Sequence, residues 1–357
     1  MALCALLGVA ALHAEPAEPA STGRVEMVAI PTPMSAVELE TRFPYRVPAN
    51  YNPERPEMWR VLVIFGGLNT DGVREARGET LEFPEWADKE GIFLVCPGFK
   101  QDDYWEPEVW SGKALTDALA EIKKNYNICT DKLLYYGNSA GANCANLFAA
   151  WRPDMARAYV LHGGRRFHEP TRAMRDVAAL VTCGDVDYGC IEPSRAFVNN
   201  HRKLGVDIQW KFYPNLTHNT PSESLALARA FFSHHHRLHL SDLSGEPADE
   251  GDGAEDLPRP VVAHPFVGDD VDGFVYRADD ERVGRILPED RVGLPTEAIA
   301  RAWGTPTWIE EKAPAPVRVE EKARPPAPVK EEEPNRPLLI HEGEEEVAPV
   351  QAVPGFQ

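Results

Sequence analysis

The sequence predicts an α/β protein: a mostly parallel, doubly wound sheet covered by helices on both faces. Apolar runs rich in β-branched residues alternate with segments of helical periodicity between Val37 and Leu238, and the connections between them are short. Most of these runs are continuous rather than alternating, as strands buried on both faces are. Ser139, Asp187 and His218 each fall just past the carboxyl end of such a run, where open α/β sheets gather their ligands.

Taken in order, Val37 to Phe43 alternates apolar and polar and reads as a half-buried strand. Pro44, Pro48, Pro53 and Pro56 mark a loop. Arg60 to Phe65 is a buried strand that stops at Gly66-Gly67-Leu68, with Asp71-Gly72 as a turn. Glu82 to Lys89 is a short helix, and Gly91 to Cys96 the next strand, halted by Pro97-Gly98. Lys113 to Tyr126 carries Leu115, Ala118, Leu119 and Ile122 on one helical face. Strands follow at 132–136, 158–161, 178–183 and 206–213, with helices at 142–151, 193–204 and 221–238. Gly205 suits the end of the helix before it.

Composition divides the chain. Its formal charge is −19, but from Ser241 onward there are 27 acidic against 12 basic residues, and 16 of the 32 prolines. The acidity therefore belongs to the tail. Neither part carries a basic face, which excludes a nucleic-acid partner. Residues 1–20 read as a secretory signal without a basic start, with cleavage after Ala14 or Ala20, and place the protein outside the cell or in the periplasm. The apolar run is too short for a transmembrane anchor. The expected organisation is a catalytic domain over 25–240, an acidic linker over 241–263, a small docking segment over 264–310 and a disordered Pro/Glu-rich tail over 311–357. The docking segment offers a short hairpin and one helix, too poor in core residues to stand alone. It is expected to lie on the catalytic body or on a protein partner, and the tail is a further candidate to bind one.

An exported chain can pair its cysteines. Cys183 and Cys190 bracket a loop and form one candidate pair; Cys96 and Cys129 form another. The alternative is that Cys96, Cys144 and Cys183 are buried thiols. With no CxxC pair a structural zinc site is not expected. His234-His235-His236 with His239 has no accompanying carboxylate in the HExxH manner and reads as a solvated helix end, so no metal is expected.

Gly137-Asn138-Ser139-Ala140-Gly141 lies between a strand and a helix, the setting a nucleophile elbow needs. A serine hydroxyl attacks only if a base takes its proton, and a histidine can do so near neutral pH. His218, in the loop between the last strand and the last helix, is the expected base. Asp187 is the expected orienting acid, with Asp185 as the alternative. Ala140 and either Gly67 or Leu68 are placed to supply the two backbone N–H groups of an oxyanion hole. His162 lines the floor of the site. Trp105 and Trp110, in an acidic aromatic stretch, are candidates for an aromatic wall against the substrate. No large insertion can form a lid, which argues for an open cleft.

With these residues in place, the chain resembles the α/β-hydrolase fold over roughly Val37 to Leu238. Within it, the chain looks like the polyhydroxybutyrate-depolymerase-like and dienelactone-hydrolase-like esterases. The resemblance implies a serine hydrolase of small-molecule or polymer-derived carboxylic esters, less often of peptides, without a cofactor. Many relatives have His-Gly at the oxyanion turn where this chain has Phe65-Gly66. That departure, and the unusual tail, leave room for a second reading, a non-catalytic binding protein on the same scaffold.

Overall fold

A computed structural model describes residues 23–55, 57–100, 106–242 and 264–308. The stretches expected to be a signal, part of the linker and the Pro/Glu-rich tail lie outside the described residues.

The continuous apolar runs form one eight-stranded sheet. Its strands are β1 (Val25–Pro31), β2 (Glu40–Arg46), β3 (Arg60–Phe65), β4 (Ile92–Val95), β5 (Leu133–Asn138), β6 (Ala156–His162), β7 (Ala178–Gly184) and β8 (Ile208–Tyr213), in the spatial order 1-2-4-3-5-6-7-8. From β4 to β8 all neighbours pair in parallel, while β2 runs antiparallel to both β1 and β4. The central strands are β3, β4 and β5, and β3 and β4 bury every residue. That is why they read as unbroken hydrophobic runs.

Helices cover both faces: α1 (Val73–Arg77), α2 (Pro84–Glu90), α3 (Gly112–Lys123), α4 (Ala140–Trp151), α5 (Ile191–Lys203) and α6 (Ser222–Asp242). Two cores result. One face packs Phe65, Phe93 and Tyr135 against α3 and α4 through Leu115, Ile122 and Phe148. The other packs Leu62, Ile64 and Tyr136 against α2 and α6 through Ala87, Leu227 and Phe231.

Four expectations are corrected. The first strand pair was only half legible. β1 is a strand where none was expected, and β2 begins three residues later than the alternation suggested and runs through Pro44. Position 44 pairs with Met27 across an antiparallel ladder, where one lost N–H is tolerated near a sheet edge. Among the described residues no disulfide is formed: Cys96, Cys129, Cys144, Cys183 and Cys190 are all buried thiols. Burial raises the Cys183 and Cys190 thiols to about 12 and about 11, so both stay protonated. The His234–His236 stretch is not a solvated end. His235 and His236 are buried, and the His235 ring lies 4.3 Å from that of Phe231.

The fourth correction concerns residues 264–308. They form more than a hairpin and a helix. A second sheet of β9 (Phe266–Asp269), β10 (Phe274–Arg277), β11 (Arg291–Leu294) and β12 (Thr305–Pro306), in the order 11-9-10-12, carries helix α7 (Glu297–Trp303). Val275, Leu294, Ile299 and Trp303 join the core beneath α6. The Trp303 indole N–H donates to the Trp210 carbonyl of β8 at 2.7 Å, and Trp210 donates to Asp270 at 3.0 Å. No helix among the described residues is long and apolar enough to cross a membrane.

Three buried histidines make stability acid-sensitive. Burial lowers His162 and His201 to about 4 and His235 to about 3. An exposed histidine titrates near ~6.5. Below that value the unfolded chain takes up protons that the folded chain refuses, so unfolding becomes easier as pH falls toward 4. Each unit of difference is worth about 1.4 kcal/mol, so several kcal/mol are at stake. The urea midpoint is expected to be clearly lower at pH 5 than at pH 7.5, and an unchanged midpoint would contradict the neutral burial of these rings.

Candidate active site

β5 ends at Asn138 and α4 begins at Ala140, which leaves Ser139 alone on the turn. Its backbone has φ 56° and ψ −122°, a conformation that a non-glycine residue seldom adopts. Such a residue costs about 1–3 kcal/mol and persists only where its surroundings impose it. The surroundings do so here. A Cβ on Gly137 would collide with the Gly141 carbonyl, and one on Gly141 with the carbonyls of Phe65 and Gly66. The two glycines thus let β5, α4 and the end of β3 close on one another. The Ser139 N–H is held by the His162 carbonyl at 2.9 Å.

Phe65, the departure at the oxyanion turn, is a core residue at 1% exposure. Its ring lies 4.8 Å from Phe148 of α4. Packing against the helix that follows the serine braces the turn, where a polar side chain would brace it by hydrogen bonds.

The structure brings Ser139, His218 and Asp187 together. His218 Nε2 lies 2.8 Å from Ser139 Oγ, and His218 Nδ1 lies 2.7 Å from Asp187 Oδ2. A carboxylate only accepts, so Nδ1 carries the proton and Nε2 is left to accept from the serine hydroxyl. Asp187 is buried, and its carbonyl accepts from the N–H groups of Cys190 and Ile191 at 2.9 Å each, which fixes its loop to the start of α5. Asp185 is elsewhere: its N–H donates to the Tyr213 carbonyl at 3.1 Å, and its Oδ1 is buried without a hydrogen-bond partner among the described residues.

His162 is buried beside this trio. Its Nε2 donates to the Asn219 carbonyl at 2.8 Å, since a carbonyl can only accept. Its Nδ1 then accepts from Thr182 at 2.8 Å or Ser224 at 3.0 Å, two hydroxyls that also bond each other at 3.0 Å. Burial lowers His162 to about 4, so it stays neutral. A neutral histidine therefore ties the loop carrying His218 to β7 and α6. His162 also lines the cavity above the serine.

That cavity measures about 310 Å³ and is bordered by Ser139, His218, Gly67 and Asn138. Gly67 is close to the nucleophile: a Cβ on it would stand 3.9 Å from that of Ser139. Leu68, next along the turn, is 58% exposed. Ala140 is the first residue of α4, so its N–H has no acceptor within the helix.

Trp110 does not form a wall of the site. It is 5% exposed, packs edge-on against Phe99 at 5.6 Å, and donates to Glu106 at 2.9 Å. The π-type turn Pro107–Ser111 that opens α3 rotates it inward. Trp105 lies outside the described residues.

Among the described residues, Asp187, Cys190 and His218 place ligand atoms within 4.8 Å of one another. Asp187 and His218 are already joined, and Cys190 holds its proton at about 11, so a metal there would have to break the first bond and deprotonate the second group.

The residues that the sequence did not single out are Glu75, Thr70, Thr182 and Ser224. The first two line the cavity or its rim, and the last two hold His162. Nothing in a five-residue helix after Asp71-Gly72 signals that Glu75 turns inward. The hydroxyls are single polar residues in otherwise ordinary strand and helix patterns.

No protein-family model matches this chain, and no curated protein matches it. Among solved structures the chain is similar to a thermostable esterase, at 17% identity over 54% of this chain and 55% of that one, with a TM-score of 0.45. It thus spans about half the length of that protein. It is also similar to a CE1 ferulic acid esterase of the anaerobic fungus Anaeromyces mucronatus (13% identity, 60% and 91% covered, TM-score 0.47). A third is a fluorophosphonate-binding serine hydrolase of Staphylococcus aureus (10% identity, 63% and 100% covered, TM-score 0.46). The chain's own architecture carries the structural conclusion: with its strand order, the antiparallel β2 and the serine turn between β5 and α4, it has the α/β-hydrolase fold.

Proposed function

We propose that this protein is a serine hydrolase that cleaves carboxylic esters through an acyl-enzyme on Ser139. One observation carries the reading: a continuous hydrogen-bonded line from Ser139 Oγ through His218 to a buried Asp187, with the serine on a strained strand-to-helix turn. In this reading His218 Nε2 takes the Ser139 proton as Oγ attacks the ester carbonyl. The tetrahedral oxyanion is received by the Ala140 N–H and by that of Gly67 or Leu68. The alcohol departs with the proton from His218. Water then enters, gives its proton to the same nitrogen, and releases the acid. Asp187 keeps the imidazole in the tautomer that presents a lone pair to the serine and stabilises the imidazolium.

A fluorophosphonate probe tests this. It is expected to label the wild-type protein once per chain and to leave Ser139→Ala unlabelled. Labelling of Ser139→Ala would move the nucleophile elsewhere. An unlabelled wild type that turns over no p-nitrophenyl ester would favour a binding protein on this scaffold. Turnover of amides at rates comparable to esters would make it a peptidase.

A further inference from the structure

The cavity above Ser139 extends past Gly67 toward Thr70, and the reaction scheme leaves this recess unused. Among the described residues its wall holds Thr70, Glu75, Thr80 and Thr220, with Leu81 as the one large apolar side chain. Glu75 is 2% exposed. Its Oε1 accepts from the Thr80 hydroxyl at 3.3 Å, while its Oε2, the Thr70 hydroxyl and Asn138 Oδ1 are buried with no hydrogen-bond partner among the described residues. Three unpaired buried polar atoms around one recess are unusual, because such groups are nearly always satisfied. The glycine at 66 belongs to the same arrangement: a Cβ there would collide with the Thr70 hydroxyl and stand 2.9 Å from Glu75 Oε1.

We propose that this recess receives the leaving group of the substrate and selects a short, neutral, hydroxyl-bearing alcohol of about glycerol size, with Glu75 and Thr70 as specificity-determining residues. The proposal rests on the esterase reading above. Four features point the same way. A hydroxyl both donates and accepts, which matches a carboxyl, a hydroxyl and an amide oxygen in one wall. Burial pushes the Glu75 carboxyl upward, favouring the form that donates one hydrogen bond and accepts another. Among the described residues no lysine or arginine lines the recess, so a carboxylate or phosphate finds no matching charge there. The whole cavity, the Ser139 end included, measures about 310 Å³, at the low end for ligand sites, so the share of it left for a leaving group suits a short one. The recess shares its wall with His218, Asn219 and Thr220, which places its occupant beside the nitrogen that protonates the departing oxygen.

The test compares glycerol 1-acetate with propyl acetate, which share the acyl group and the carbon skeleton and differ in two hydroxyls. Acid release is followed at constant pH. In the wild type, kcat/KM is expected to be about tenfold or more higher for the glycerol ester, the scale of discrimination that buried hydrogen bonds supply. Glu75→Gln and Thr70→Val, both close to isosteric, are each expected to shrink that ratio by about three- to tenfold. Equal kcat/KM for the two esters in the wild type overturns the proposal, as does a ratio that neither variant changes. Acetylcholine turned over faster than the glycerol ester also overturns it, because the recess then selects a cation. In all three outcomes Ser139-dependent turnover of propyl acetate leaves the esterase reading standing. Turnover of neither acetate, with no labelling at Ser139, sinks the esterase reading and this proposal together.

Discussion

Asp187→Asn is expected to lower kcat for a p-nitrophenyl ester by about 10⁴-fold while leaving KM and the fold nearly unchanged. The reason is the direction of one hydrogen bond. Asp187 Oδ2 accepts from His218 Nδ1 at 2.7 Å, which leaves Nε2 as the acceptor facing Ser139 at 2.8 Å. An amide presenting its NH₂ group would make Nδ1 the acceptor and put the proton on Nε2, where it can no longer receive one from the serine. The buried position of Asp187 makes this effective, because no water replaces the lost acceptor. Asp185→Asn is expected to leave kcat within about twofold, since Asp185 bonds Tyr213 and not the histidine. Residues that act as a unit are not additive. Combining Asp187→Asn with Ser139→Ala should therefore cost little more than Ser139→Ala alone. Steady-state kinetics of the four variants check this, and a large loss in Asp185→Asn with a small one in Asp187→Asn would reverse the assignment.

Trp303→Ala is expected to destabilise the protein by about 3–5 kcal/mol, the usual cost of truncating a fully buried large aromatic. Trp303 is 1% exposed, donates to the Trp210 carbonyl, and has the Lys211 ammonium 4.1 Å above its ring. Its ring also lies against Gly268, where a Cβ would stand 2.6 Å from it. Truncation opens a cavity between β9, α7 and β8 and leaves a buried carbonyl unpaired. Chemical denaturation gives the loss directly. Limited proteolysis should show cleavage within residues 264–308 before cleavage in the larger sheet. A midpoint shift equivalent to less than about 1 kcal/mol would mean that the small sheet is held by other contacts.

How much of this was legible in the sequence depended on the range of the interaction. The parallel strands and the helices between them were readable because burial on both faces leaves an unmistakable apolar run, as in Arg60 to Phe65. The site trio was readable because the fold delivers Ser139, Asp187 and His218 to one end of the sheet. The misreadings have local causes. Val25 to Pro31 pairs at a sheet edge, so it is only partly buried and has no clean alternation. Trp110 looked available because an acidic aromatic loop reads as exposed, and only the turn before α3 shows that it faces the core. Cys183 and Cys190 looked like partners because they flank a loop, but sequence spacing carries no information about side-chain direction. Glu75 was invisible because its meaning comes from neighbours supplied by Thr70, Thr80 and the end of β5.

The small C-terminal sheet has a consequence for the open margin of the large one. β8 is the last strand in the order, and an uncovered last strand is a template on which another chain can add its own. Here the Trp303 indole occupies the Trp210 carbonyl, and Arg202 reaches from α5 to the carbonyls of Glu289 and Arg291. The appended residues thus act as a guard over an adhesive margin. A chain ended after α6, though it would keep Ser139, His218 and Asp187, would bare that margin together with the apolar side of α6, and self-association rather than loss of chemistry would be its first defect.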